Sequence, residues 1–158
     1  MDEQGFVTEV TAMRDMLYRL SVSYLHSDAD AQDAVQQAIE NAWRHRARVK
    51  PERFRPWLTR IVINECISQL RRGRRVLLTG RMELYGGQAE MPDPTLSDAL
   101  SHLPEKLRTP LLLRYMEDFS VKEVAQALGV PGSTVRNRLA RARSALRAEL
   151  GGEEGGRA

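Results

Sequence analysis

Five arginines and no acidic residue fall between residues 132 and 147, interleaved with Ser133, Thr134, Asn137 and Ser144. A guanidinium fork matches the paired acceptors of a guanine edge or two phosphate oxygens, and an asparagine amide matches adenine. The chemistry on offer is therefore recognition of nucleic acid, not bond-making. Val135, Leu139, Ala142 and Leu146 recur at spacings of four, three and four, which makes an apolar stripe on a helix. At 100° per residue the opposite side carries Asn137, Ala140, Arg141 and Ser144, flanked by Arg136. Just upstream, Ser120 and Glu123 have the spacing of a capping box, and Val121, Val124, Ala125 and Leu128 continue as a second apolar stripe. Gly129 closes that helix where a left-handed residue is cheap, and Val130 and Pro131 supply the turn. Two short helices joined this way form a helix-turn-helix across residues 119–147.

A second basic set lies earlier. Residues 44–81 hold 12 basic and 2 acidic groups, net +10, whereas residues 1–43 hold 2 basic and 8 acidic, net −6. Residues 82–103 then carry 4 acids and no base, and residues 104–150 return to 9 basic against 5 acidic, net +4. The overall +3 thus hides two cationic segments, and clustered Lys and Arg release counterions from phosphates. Within the first of them, Arg60, Asn64, Ser68, Arg71 and Arg75 fall in about 80° of helical arc. Two separate contacts with a polyanion are expected.

Several function classes are excluded. Ser68 and Ser133 have no neighbouring base, metal cluster or phosphate-binding loop, so no catalytic residue and no cofactor are expected. Cys66 is the sole cysteine, which rules out an internal disulfide or a thiolate zinc cluster. His26, His45 and His102 stand singly and read as ordinary surface or half-buried residues, so no metal is expected either. No stretch approaches the length of a membrane span and no signal-peptide pattern is present, from which cytoplasmic residence is expected. A conventional regulator binding paired half-sites as a dimer is a second reading of the helix-turn-helix, but no coiled-coil seam supports it.

The elements that must position these groups read as all-α, in two small helical domains. Val10, Met13, Leu17, Leu20 and Tyr24 give a first helix ending near residues 26–28. Ala34, Val35, Ala38, Ile39, Ala42 and Trp43 give the buried stripe of a second, capped by Asp28 or Asp30. Its outer face is acidic and amide-rich: Asp30, Asp33, Gln36, Gln37 and Glu40. A basic loop at 47–53 precedes a long third helix with Pro56 in its first turn and Leu58, Val62, Cys66 and Leu70 along one side. Residues 1–75 form the first domain. Gly80, Gly86, Gly87, Pro92 and Pro94 mark residues 76–95 as a flexible linker. The second domain, 96–150, opens with helices at 96–103 and 105–117; the latter accommodates Pro110 only by starting there or by kinking. Residues 151–158 are expected to be a disordered tail.

These residues together resemble the extracytoplasmic-function (ECF) group of the sigma-70 family of bacterial RNA polymerase sigma factors. LYRLSVSYLHSDADAQDAVQQAIENAWRH resembles the group's polymerase-binding region and FRPWLTRIVINECISQLRRGRR its −10 region. LSHLPEKLRTPLLLRYMEDFSVKEVAQALGVPGSTVRNRLARARSALR resembles its −35-reading region. The resemblance implies a protein that binds core RNA polymerase and directs it to promoter DNA. Asp30, Asp33, Gln36, Gln37 and Glu40 would meet the clamp coiled coil of the polymerase. Arg53, Arg55, Trp57, Arg60, Asn64, Arg71, Arg72, Arg74 and Arg75 would meet the −10 element, where a flipped base enters the 47–55 loop. For Trp57, a core position beside Phe54 is the stronger reading. Arg136, Asn137 and Arg141 would read −35 bases, with Ala140 a weaker apolar contact. Ser133, Thr134, Arg138 and Arg143 would hold phosphates. The loop, ARVKPERFRPWL, departs from the glycine- and serine-containing form common in the group, so no −10 base preference carries over. The resemblance also implies control by an anti-sigma factor, in many members membrane-bound. The chain would then be monomeric when free or paired one-to-one with that partner, and would lie on the nucleoid when active.

Overall fold

The computed structural model describes residues 1–77 and 94–153, with side chains at 1–73 and 96–151. Among the described residues all regular structure is helical, as the sequence leads one to expect: α1 (Glu3–Leu25), α2 (Asp28–Arg44), α3 (Phe54–Leu77), α4 (Pro94–Ser101), α5 (Glu105–Tyr115), α6 (Val121–Leu128) and α7 (Gly132–Glu153). None of these helices is long and apolar enough to cross a membrane. They cluster into two compact units, α1–α3 and α4–α7.

In the first unit each of the three helices packs on the other two. The Asp2 side chain accepts from the Gly5 amide at 2.7 Å and starts α1, and His26 ends it in the left-handed region at φ 56°. The cap of α2 is Ser27, not Asp28 or Asp30. Its backbone is extended and its hydroxyl accepts from the Asp30 amide at 3.2 Å. Asp28 and Asp30 instead sit in the first turn, where negative charge suits the helix dipole, and the Asp28 carboxylate accepts a hydrogen bond from the Tyr18 hydroxyl. Leu17, Ala34, Ala38, Phe54, Leu58, Val62 and Cys66 are all essentially fully buried. Alanines on α2 allow close approach of the neighbouring helices, while Phe6 and Phe54 fill the end of the bundle with ring centroids 5.5 Å apart.

Trp43 departs from the expected buried stripe. It is 36 % exposed, with the Phe6 ring nearly perpendicular at 5.2 Å between centroids and the Arg46 guanidinium 3.6 Å from the ring centre. Cation–π contact and a hydrogen bond from Arg46 to the Trp43 carbonyl stabilise it at the rim. The basic loop is more ordered than its composition suggests. It holds two single-turn 3₁₀ helices, Arg46–Arg48 and Pro51–Arg53, separated by the buried Val49.

In the second unit, α4, α5 and α6 pack around α7. The capping box forms as the spacing requires: Glu123 N–H donates to Ser120 Oγ at 3.0 Å and Ser120 N–H to Glu123 Oε1 at 2.9 Å. Phe119 and Val124, both fully buried, occupy the N′ and N4 positions of a hydrophobic staple. Gly129 ends α6 at φ 69°, the left-handed cap expected of it.

Helix α5 neither starts at Pro110 nor reaches residue 117. It begins at Glu105, runs through Pro110 and ends at Tyr115. Asp118, with φ 58°, then turns the chain toward α6. The Pro110 ring is buried, so its apolar packing offsets the missing backbone donor. Helical structure extends a short way into the stretches expected as linker and tail. Helix α3 runs on to Leu77, α4 starts at Pro94 and α7 runs on to Glu153, through Gly151. The rest of both stretches, 78–93 and 154–158, lies outside the described residues.

Candidate polymerase and nucleic-acid interfaces

The outer face of α2 follows from its register. Burying Ala31, Ala34, Val35, Ala38 and Ala42 leaves Asp30, Asp33, Gln36, Gln37 and Glu40 on the opposite side, within about 120° of arc, and all five are exposed. Two hydrogen bonds order this face. Gln36 Nε2 donates to Glu40 Oε2 one turn along, and Gln69 Nε2, from α3, donates to Asp33 Oδ2, each at 3.0 Å. Three carboxylates and two amides on one ridge form an acceptor-rich surface suited to a cationic or polar partner helix.

The cationic face of α3 is built by the same register. Leu58, Val62 and Cys66 point into the bundle, and Arg60, Asn64, Arg71 and Arg72 are exposed. Arg53 is exposed on the second 3₁₀ turn and Arg55 is half-buried at the start of α3. Arg74 and Arg75 lie on the α3 backbone, but their side chains fall outside the described residues.

Trp57 combines a core position with a place on the basic face. Helix α3 has already begun at Phe54, so Trp57 falls on the Arg60 and Asn64 side, yet it is half-buried with its ring 5.7 Å from that of Phe54. Its inner edge belongs to the core and the remainder to the basic face.

Arg72 has acquired partners that composition did not suggest. Its guanidinium donates to Ser68 Oγ at 3.0 Å and pairs with Glu65 at 3.4 Å. Arg72 is exposed and Glu65 half-buried, and a pair open to solvent on one side is worth little.

In the second unit, Val135, Leu139 and Ala142 seat α7 against its neighbours. Ser133, Arg136, Asn137, Ala140 and Arg141 are then exposed together within about 140° of arc. Thr134 and Arg138 are half-buried at the edge of this arc. Arg143 is exposed and donates to the Tyr115 hydroxyl of α5 at 2.7 Å, which fixes its guanidinium at the flank. A helix with this face outward, preceded by a capped helix and a three-residue turn, has the form of the second helix of a helix-turn-helix.

Some polar positions were not legible in the spacing. Arg108, 9 % exposed, donates to the Leu103 carbonyl at 2.7 Å and closes the turn between α4 and α5. His102, singly placed in sequence, meets Glu149 at 2.5 Å across 47 residues, with Asp98 beside them. Asp98 and His102 are one helical turn apart, but no period in the sequence connects them to Glu149.

Residues 10–76 match the family model "Sigma-70 region 2", and residues 95–146 match "Sigma-70, region 4". The chain is 31 % identical to the RNA polymerase sigma factor SigV of Bacillus subtilis (strain 168), over 94 % of this chain and 92 % of that one. It is 27 % identical to the ECF RNA polymerase sigma factor SigW of the same organism, over 94 % of this chain and 90 % of that one. Among solved structures it is similar to the sigma factor RpoE of Bartonella quintana in complex with the anti-sigma factor NepR. The TM-score there is 0.75 and the identity 26 %, covering 92 % of this chain and 96 % of that one. With an acidic ridge on α2, arginine-bearing faces on α3 and α7, and relatives matched along nearly their whole length, the chain belongs to the ECF group of the sigma-70 family of RNA polymerase sigma factors.

Proposed function

We propose that the chain binds core RNA polymerase through the α2 ridge and directs it to promoters by holding the −10 element on α3 and the −35 element on α7. Asp30, Asp33, Gln36, Gln37 and Glu40 pair with basic and polar groups of the clamp coiled coil. Asn64 meets a base edge of the melted −10 strand, while Arg53, Arg55, Arg60, Arg71, Arg72, Arg74 and Arg75 hold phosphates. The ordered 3₁₀ segment before α3 takes the extruded base, and capturing it offsets part of an unstacking cost of a few kcal/mol. On α7, Arg136, Asn137 and Arg141 read −35 bases beside Ala140, and Ser133, Thr134, Arg138 and Arg143 set the register on the backbone. No bond is made or broken by this chain, since nucleotide addition belongs to the polymerase.

The observation that carries this reading is the pairing of one acceptor-rich ridge with two arginine-bearing faces, each produced by helical register in a compact unit. The domain limits proposed are 1–75 and 96–150. Regulation by an anti-sigma factor fits the RpoE relative, which is seen with one bound. In this reading the chain is a cytoplasmic monomer when free and pairs one-to-one with such a partner.

In vitro transcription with core polymerase and genomic DNA fragments tests the proposal. Promoter-specific transcripts that require the chain are expected. Their absence, together with tight binding of the chain alone to a palindromic site, would identify a conventional repressor or activator instead.

A further inference from the structure

We propose that Asp98, His102 and Glu149 bind a divalent first-row transition cation, with Zn²⁺ the best fit, and that the ion clamps α4 to the C-terminal end of α7. One ligand atom from each residue lies within 4.8 Å of the others. Asp98 is on α4 and His102 follows one helical turn later, so both project from the same side of that turn. Glu149 comes from the last turns of α7 and completes the group from a second element.

The donor set decides the class of ion. One imidazole with two carboxylates is a mixed nitrogen and oxygen set, which suits zinc and its neighbours; calcium and magnesium take oxygen alone. Ligand bonds of about 2.1 Å in a tetrahedron place donors about 3.4 Å apart. The group reaches that spacing by side-chain rotation, with the 2.5 Å His102–Glu149 contact opening as the ion enters. The charges acting on the imidazole, Glu149 and Asp98, are both negative and favour a cation there, and His102 gives up its proton as the ion binds. The two carboxylates neutralise the dication, and the exposure of Asp98 and His102 leaves room for a water in the fourth position. Cys66, the natural competitor for zinc, is buried in the first unit.

The consequence falls on the DNA-reading unit. α4 leads into that unit and α7 carries its base-reading arc, so the clamp ties the start of the unit to the far end of its recognition helix. Binding to the folded state alone would raise the unfolding temperature of that unit.

The test uses the full chain after chelator treatment and dialysis, titrated near neutral pH with Zn²⁺ by calorimetry and with Co²⁺ by visible absorption. One equivalent of Zn²⁺ is expected, with Co²⁺ bands of low-coordinate form. Affinity should fall about tenfold or more in His102→Ala and in Glu149→Gln, and stay unchanged in His45→Ala. Circular dichroism establishes that the variants retain their helix content, which substitutions at these solvent-accessible positions should allow. No saturable binding up to about 1 mM would overturn the proposal. Binding of equal strength in the wild type and the His102→Ala, Glu149→Gln double variant would overturn it as well.

Discussion

Gln69 of α3 donates to the Asp33 carboxylate of α2 at 3.0 Å, so the acidic ridge is braced by the helix that carries the first arginine face. One oxygen of Asp33 is thereby oriented while the side chain stays exposed. If that carboxylate meets polymerase directly, Asp33→Ala should weaken core binding by about 2 kcal/mol, and Gln69→Ala by well under half of that. Fluorescence anisotropy of the labelled chain against core polymerase measures both. Equal losses would mean that Asp33 serves the α2–α3 contact and not the partner.

Arg141 and Arg143 are two positions apart on α7 but should behave differently. Arg141 lies in the exposed arc and should read a base, whereas Arg143 is held at the flank by Tyr115. Arg141→Ala should cost about 1–3 kcal/mol on the preferred −35 sequence and little on a scrambled one. Arg143→Ala should weaken both sequences alike and lower the salt dependence by about one counterion. Binding isotherms of the holoenzyme at several salt concentrations separate the two; equal losses on both sequences for Arg141→Ala would reassign it to phosphate.

The capping box at the start of the helix-turn-helix should carry measurable stability. Ser120→Ala removes the acceptor for the Glu123 amide and should cost about 1 kcal/mol in α6. Glu123→Ala should cost a similar amount, and the double variant less than the sum, because the two bonds close one ring of contacts. Hydrogen exchange of α6 amides reports the effect. Strict additivity would mean that the two side chains act independently.

In metal-free buffer the His102 imidazole should titrate above its ordinary 6.5, because it is hydrogen-bonded to Glu149 and feels the charges of Glu149 and Asp98. A folded-state value above the unfolded one stabilises the folded chain fully below pH 6.5, and that contribution is lost as pH rises through the raised value. The imidazole resonances of the full chain followed by NMR should show the shift, and Glu149→Gln should return it toward 6.5. An unchanged titration in that variant would place the cause elsewhere.

Much of this molecule is written in its local periodicities. The capping box at Ser120 and Glu123, the left-handed stop at Gly129, and the outward placement of Asp33, Arg60, Asn64, Asn137 and Arg141 all follow from residues at most a few turns apart. A helix has a fixed angle per residue, so burying one stripe dictates what faces outward. Composition points to Asp28 or Asp30 as the cap of α2 because serine and aspartate compete for the same role, and only backbone geometry separates Ser27 from them. Periodicity puts Trp43 on the buried stripe because it reports direction and not depth. Whether a stripe's last residue is covered depends on where the neighbouring helix ends, and here Phe6 and Arg46 cover it only in part.

The sequence by itself therefore determined the helical class, the helix-turn-helix and the two arginine faces, since each is a short-range consequence of backbone geometry. Only the tertiary structure decided that Gln69 braces Asp33, that Tyr115 holds Arg143, and that Asp98, His102 and Glu149 converge. Tyr115 and Arg143 are 28 positions apart, Asp33 and Gln69 36, and His102 and Glu149 47, and these meetings are set by how helices cross when their apolar stripes are buried together. No spacing in a linear chain encodes a crossing angle, which emerges from side-chain ridges settling into the grooves of a neighbour.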